Sequence, residues 1–256
     1  MKKRILVIGS GGAVGRAFCS YLECNRVHVK SWDRKKTPLH DFSSVTHKLM
    51  LESPDVVYNF AVASLDEGVS SEKINLDLPV HLATVSKSLD FKLVQTSTVM
   101  VFGEHQKGPF DLTTCPDPDT SYGKEKYLME QRILALLGKS VILRLGWQIG
   151  SRPGSNNMVD FIERSSKNGG LDASDSWLPS CSTLTETAAE LWRAAEYSPG
   201  LYQFNTNEGI SFFDIASDLK HQLQKDHWKI KRQNFPAWNQ LMKNLGVTSA
   251  EYIKNV

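Results

Sequence analysis

The chain has 256 residues, 41% hydrophobic and 23% charged, with 30 Lys and Arg against 28 Asp and Glu for a net charge of +2. This balance excludes collagen-like, disordered and disulfide-dense classes, and it gives no electrostatic reason to expect a nucleic-acid or membrane partner. At about 150 residues per domain, the length fits one large unit or a core with a small appendage.

Met1-Lys2-Lys3-Arg4 leads into only four apolar residues, Ile5 to Ile8, so neither a signal peptide nor a membrane span is expected and the location reads as cytoplasmic. β-Branched runs of strand length follow at Arg4–Gly9, Val27–Trp32, Asp55–Phe60, Lys92–Thr96, Val141–Gly146 and Leu201–Asn205. Helical periodicity lies between them. Val14, Ala17, Phe18, Tyr21 and Leu22 share one face, as do Leu78, Leu82, Val85 and Leu89, then Leu128, Met129, Ile133 and Leu134, and later Leu191, Trp192 and Ala195. Strand and helix in alternation predict an α/β fold, a Rossmann-type doubly wound parallel sheet. Residues 1–150 are expected to form the domain that carries this sheet. Residues 151–256 read as a small substrate-binding lobe that returns a strand and a helix to the sheet and shares the main core. Ser151 to Ser182 reads as loose apart from a helix at Met158–Ile162, and the aromatic tail from Asp226 is expected to pack back on the body.

Gly9-Ser10-Gly11-Gly12-Ala13-Val14-Gly15 joins the first strand to the first helix. Gly9, Gly12 and Gly15 in this context permit a tight turn, close approach of a pyrophosphate and close helix packing, while the N–H groups around Ala13 and Val14 face the phosphates. Asp33 at the end of the second strand is placed to accept the adenosine ribose hydroxyls, and Arg34 beside it can pair with a 2′-phosphate. The expected cofactor is NAD(H), with NADP(H) tolerated.

Tyr122 and Lys126 are four apart at the start of a helix that Thr120 or Ser121 can cap, so they share one face. An ammonium near a phenol is expected to lower the tyrosine's pKa into the range of proton exchange with an alcohol or ketone. Thr98 stands at the carboxyl end of the fourth strand, the edge where ligands bind in open α/β sheets. The four cysteines, Cys19, Cys24, Cys115 and Cys181, form no paired motif and read as reduced, mostly buried thiols; the seven histidines show no metal-ligand spacing, and no metal is expected.

This arrangement of Thr98, Tyr122 and Lys126 behind a glycine turn resembles the extended short-chain dehydrogenases/reductases. The resemblance implies that Thr98 orients a substrate carbonyl, Tyr122 is the acid/base, and Lys126 assists the tyrosine and binds the nicotinamide ribose. Further segments are similar to the dTDP-4-dehydrorhamnose reductase branch: Asp41-Phe42-Ser43 near the adenine, and Pro54 to Ala63, which would bring Ala61, Val62 and Ala63 beneath the nicotinamide half. Asn75, Glu130 and Leu143-Arg144-Leu145-Gly146-Trp147 also match. By the same likeness, Thr98, Val99 and Trp147 face the substrate. That branch has Asp and Tyr after the threonine; Val99 and Met100 stand there in this chain and remove polar contacts to the sugar. The resemblance implies an NAD(P)H-dependent reductase of a nucleotide-activated 4-keto-6-deoxy sugar. The alternatives are an NAD-dependent nucleotide-sugar 4-epimerase and a non-catalytic regulatory subunit, since the regulatory subunit of methionine adenosyltransferase is similar to the same branch. The family also implies a homodimer through the helices at Glu72–Leu89 and Ser121–Leu137, for which exposed apolar residues on both would be the evidence.

Overall fold

The computed structural model describes residues 3–63, 68–244 and 246–248. Met1, Lys2 and the last eight residues of the expected C-terminal lobe, 249–256, lie outside the described residues. The chain runs β1 (Ile5–Ile8), α1 (Ala13–Cys24), β2 (Val29–Ser31), α2 (Phe42–Glu52), β3 (Val56–Asn59), a π-helical turn (Lys73–Asp77), α3 (Leu78–Leu89) and β4 (Lys92–Thr98). A 3₁₀ turn (Val99–Val101), α4 (Ser121–Ala135), β5 (Ser140–Leu145), β6 (Trp147–Ile149), α5 (Met158–Lys167), β7 (Leu171–Ser174) and β8 (Trp177–Leu178) come next. β9 (Cys181–Thr183), α6 (Leu184–Ala194), β10 (Gly200–Phe204), α7 (Phe212–Gln222), β11 (Ile230–Gln233), β12 (Trp238–Asn239) and β13 (Gly246–Thr248) complete it.

Seven strands form one sheet in the order β13-β10-β5-β4-β3-β1-β2, parallel throughout except for β13 against β10. The fully buried strands explain the continuous apolar runs. Leu6, Ile8, Val57, Leu93 and Ile142 point to one face under α2, α3 and α4, and Ile5, Val7, Val56, Tyr58, Val94, Val141 and Leu143 point to the other under α1 and α6. Each such side chain contributes on the order of 1.5–3 kcal/mol of burial. The chain leaves β1 for β2 on one side and returns to β3 on the other, and that reversal opens a crevice at the carboxyl end of β1.

The region after Gly150 differs from the loose reading. α5 extends to Lys167, and Met158, Val159, Ile162, Leu171, Ala173, Cys181, Phe212, Ile215, Ala216 and Trp228 make an apolar cluster separate from the two on the sheet faces. The lobe thus has a core of its own, while α6 and β10 return to the main body. The aromatic tail does pack back: β11 pairs with β7, β12 with β8, and Trp228 is buried. Two helices were not read from the sequence. α2 has a diluted stripe, with Val45 and Leu49 buried but Met50 and Leu51 exposed, and α7 begins at the Ser211 cap inside a stretch rich in glycine and polar residues. The cysteines are free, but only Cys181 is buried; Cys24 and Cys115 are exposed because they sit on the outer end of α1 and in a surface loop.

Candidate active site

The glycine turn is shaped by contacts of under 3 Å. Gly9 has φ of +80°, and a Cβ there would lie 2.7 Å from the Ala61 nitrogen, so the first turn and the segment after β3 touch through backbone alone. Ala61 is held by its own N–H, which donates to Asn59 Oδ1 at 3.2 Å; Asn59 Nδ2 donates to Gln95 Oε1 at 2.8 Å inside the sheet. A Cβ on Gly15 would stand 2.2 Å from the Gly9 carbonyl oxygen, so that residue sets how closely α1 lies on the turn. Gly12 differs. Its nearest neighbour for a Cβ is Gly9 O at 3.5 Å, an ordinary contact, and it caps α1 with no side-chain hydrogen bond.

Free N–H donors at the start of α1, beside a glycine that the protein's own packing does not require, make a cradle that fits a pyrophosphate. Asp33 follows β2 directly, and its Oδ1 accepts from the Lys35 N–H at 3.0 Å, which orients the carboxylate. Arg34 adjoins it on the same exposed turn. Asp41 caps α2, accepting from the Ser44 N–H at 3.1 Å and the Ser44 hydroxyl at 2.6 Å. The Phe42 ring turns toward α3, stacked on His81 at 4.8 Å with Lys73 over it at 4.6 Å, so the backbone is what it offers a cofactor. Val62 is exposed, Ala61 is buried, and the Ala63 N–H donates to Asn75 Oδ1 at 3.1 Å. These residues fit a dinucleotide along the carboxyl edge of β2, β1 and β3.

Thr98 ends β4, buried, with Oγ1 accepting from the Met100 N–H at 3.2 Å. Its partner across the sheet is Leu145, two residues before Trp147. α4 starts on the Thr120 cap, whose hydroxyl oxygen accepts from the Gly123 N–H at 3.0 Å. A Cβ on Gly123 would be 2.2 Å from the Met100 carbonyl oxygen, so this glycine lets the start of α4 dock on the turn after Thr98. Gly123→Ala is therefore expected to push the start of α4, with Tyr122, away from the turn after Thr98, lowering stability by about 1–3 kcal/mol and turnover by about 100-fold. A thermal melt and steady-state kinetics measure the two effects, and wild-type turnover would refute the docking role.

Lys126 Nζ stands over the Tyr122 ring, 6.0 Å from its centroid, as the i, i+4 spacing requires. The pKa shift runs opposite to the sequence expectation. Loss of solvent pushes the Tyr122 phenol up to about 12, with Glu125 adding to the rise. Burial also brings the Lys126 ammonium down to about 8, against the opposing pull of Glu130 and Glu125. The lysine lies over the ring and is itself desolvated, so burial outweighs the attraction that the spacing alone suggested.

Glu125 is the residue that sequence reasoning passed over. Its carboxylate accepts from the Ser71 hydroxyl and from Asn75 Nδ2 at 2.7 Å, tying α4 through Asn75 to the Ala63 backbone. An acidic residue inside the Tyr-x-x-x-Lys turn was the available signal. Val99 is buried beside Thr98 and Met100 is exposed. Trp147 sits half-buried in an aromatic group, 5.6 Å from the Phe212 ring and 6.0 Å from Trp177, so much of its surface is used by the lobe.

The chain is 27% identical over 227 residues to a dTDP-4-dehydrorhamnose reductase of Aggregatibacter actinomycetemcomitans, covering 83% of this chain and 76% of that one. A dTDP-4-dehydrorhamnose reductase structure from Clostridium acetobutylicum superposes with a TM-score of 0.78 at 23% identity, covering 94% of this chain and 90% of its own. One from Bacillus anthracis, in complex with NADP, gives 0.76 at 21% identity, covering 96% and 85%. The family described as RmlD substrate binding domain matches residues 2–241, from the glycine turn through the lobe to the tail, and the chain belongs to that family.

Proposed function

We propose that the protein is an NAD(P)H-dependent reductase that converts the keto group of a nucleotide-activated 4-keto-6-deoxy sugar to an alcohol. The observation that carries this reading is Tyr122 with the buried Lys126 over its ring, on a helix whose start docks on the turn that follows Thr98; burial holds the phenol in its protonated form. When bound, NAD(P)H supplies hydride from C4 of its nicotinamide. Thr98 already accepts the Met100 N–H, which leaves its O–H proton to donate to the keto oxygen and orient the carbonyl. Tyr122, in its donor form, passes a proton to that oxygen as charge develops there. The Lys126 charge beside the ring then stabilises the phenolate left behind. Asp33 serves the adenosine ribose and the start of α1 serves the pyrophosphate.

Residues 1–150 act as the NAD(P)-binding part and 151–256 as the substrate-binding lobe, with Trp147 and Val99 at the sugar. The likeness to reductases of dTDP-4-keto sugars supports the substrate class. A cytoplasmic location belongs to the same reading, supported by the free exposed thiols of Cys24 and Cys115. A homodimer through α3 and α4 also belongs to it. The apolar surface expected on both helices is present only on α4, as the exposed Leu128, while the exposed residues of α3 are the polar Thr84, Lys87 and Ser88; a monomeric mass at micromolar concentration would count against the dimer.

The test mixes purified protein with NADH or NADPH and a panel of nucleotide-linked 4-keto sugars and follows reduced nicotinamide. Stoichiometric consumption is the expected result. Interconversion of sugars without net consumption would make the protein an epimerase, and cofactor binding with neither outcome would make it a regulatory subunit.

A further inference from the structure

Residues 102–120 lead from the turn after Thr98 to the start of α4 without a helix or a named strand of their own. A connection of this length needs outside contacts to hold one conformation. Inside it, Gln106 Oε1 accepts from the Gly103 N–H at 3.0 Å and the Asp117 N–H at 3.2 Å, and its Nε2 donates to the Cys115 carbonyl at 2.9 Å. From outside, the tail takes hold. The Gly108 N–H donates to Asn239 O at 2.8 Å, the Phe110 N–H to Leu241 O at 2.7 Å and the Lys243 N–H to Phe110 O at 2.8 Å. The Trp238 indole N–H donates to Gln106 O at 3.1 Å. The same stretch of tail is anchored on the sheet, where the Asn205 N–H donates to Asn244 Oδ1 at 2.7 Å and Asn244 Nδ2 donates to Asn205 O at 2.8 Å.

The side chains enclosed between tail and loop are apolar. Met242 and Phe110 are buried in one cluster with Val99, Val101 and Phe102, the Phe110 ring stacks on Phe102 at 4.1 Å, and Tyr127 of α4 packs against the group. Val99 follows Thr98 directly, and Tyr127 lies on the helix that begins with Ser121 and Tyr122. One tail side chain thus shares a core with the turn that carries the threonine and the helix that carries the tyrosine. We propose that residues 238–244 are a clamp on the active-site loop and that Met242 is its positioning residue, holding the turn after Thr98 against the start of α4. This rests on the reading of Thr98 and Tyr122 as the residues that act on the keto oxygen. The glycine turn ends β1, two strands away from β4 and outside this cluster. The clamp therefore governs turnover and leaves dinucleotide binding alone.

Met242→Ala takes the tail's side chain out of the cluster and keeps its backbone bonds. Turnover is expected to fall about tenfold while the Kd for NADH or NADPH stays within about twofold. Met242→Leu, close in volume, should bring turnover back to within about twofold of the parent. Gly108→Ala reaches the same contact from the loop and removes no atom from the cluster: its methyl would meet Asn239 O at 2.8 Å and Leu241 O at 3.1 Å. It is expected to give the same split and stands in if Met242→Ala does not fold. Amide hydrogen exchange reads the geometry without turnover. The Met100 N–H, bonded to Thr98 Oγ1, and the Gly123 N–H, bonded to the Thr120 hydroxyl, should exchange about tenfold faster in either variant, while the Arg16 N–H at the start of α1 stays at the parental rate. Parental exchange at Met100 and Gly123 in the folded variants overturns the proposal, as does faster exchange with parental turnover or a cofactor affinity that falls as far as turnover does. A parent protein that reduces no keto sugar would overturn the reductase reading instead, and the exchange rates would still decide whether the tail holds this turn.

Discussion

Tyr122→Phe is expected to lower turnover by roughly 10²–10⁴-fold, the span of a lost general acid, while the melting temperature stays close to that of the parent protein. The substitution removes one oxygen and keeps the ring over which Lys126 stands. Cofactor affinity should fall by no more than about tenfold, because at most one hydrogen bond of about 1 kcal/mol is lost. The burial that pushes the phenol up to about 12 keeps the residue a proton donor at neutral pH, so the defect should be constant with pH on the acid side of about 8, where the Lys126 ammonium keeps its charge. Single-turnover measurements with NADH or NADPH separate the chemical step from binding. A variant with parental turnover would show that the proton reaches the keto oxygen from elsewhere, and Thr98 would become the first residue to test.

The second large effect concerns the glycine turn, where two neighbouring glycines are expected to fail in different ways. Gly15→Ala drives a methyl to within 2.2 Å of the Gly9 carbonyl oxygen and 2.7 Å of Ser10 Cα, both backbone, so α1 must shift off the turn. Stability should drop by about 1–3 kcal/mol from overpacking, and dinucleotide affinity should fall with it. Gly12→Ala meets nothing closer than 3.5 Å within the protein and should change stability by less than about 1 kcal/mol. Its methyl occupies the space at the start of α1 where phosphate oxygens would approach, so dinucleotide affinity should still fall more than tenfold, roughly the 1.4 kcal/mol or more that one crowded contact costs. Thermal melts read beside fluorescence titrations with NADH and NADPH give both numbers. Parental affinity in Gly12→Ala would place the pyrophosphate away from this turn.

The features that were legible in the sequence are local ones. The glycine turn after an apolar strand, the i, i+4 pair Tyr122 and Lys126, and the hydroxyl ending β4 each lie within one or two elements, and their spacing alone states their geometry. The fully buried strands were legible because a parallel sheet covered on both faces leaves no polar alternation to obscure them. α2 and α7 were not, since their burial depends on what covers them: Met50 and Leu51 on α2 look as apolar as Val45 and Leu49, and only packing against α3 distinguishes the two pairs. The order of the segment after Gly150 was not legible for a related reason. Its core joins Met158, Leu171, Phe212 and Trp228, residues too far apart along the chain to make a periodic signal.

By itself, then, the sequence determined the fold class, the place of the glycine turn and the spacing of Thr98, Tyr122 and Lys126, because those follow from short-range spacing and strand-to-helix order. Only the tertiary structure decided the electrostatics of the site. Tyr122 is raised and Lys126 lowered because both lose solvent. Glu125 is taken up by Ser71 and Asn75 from a distant turn, and Glu130 by Arg144 from a neighbouring strand. Desolvation and cross-element pairing are properties of what surrounds a residue, and that surrounding forms only when the sheet and its helices close over one another.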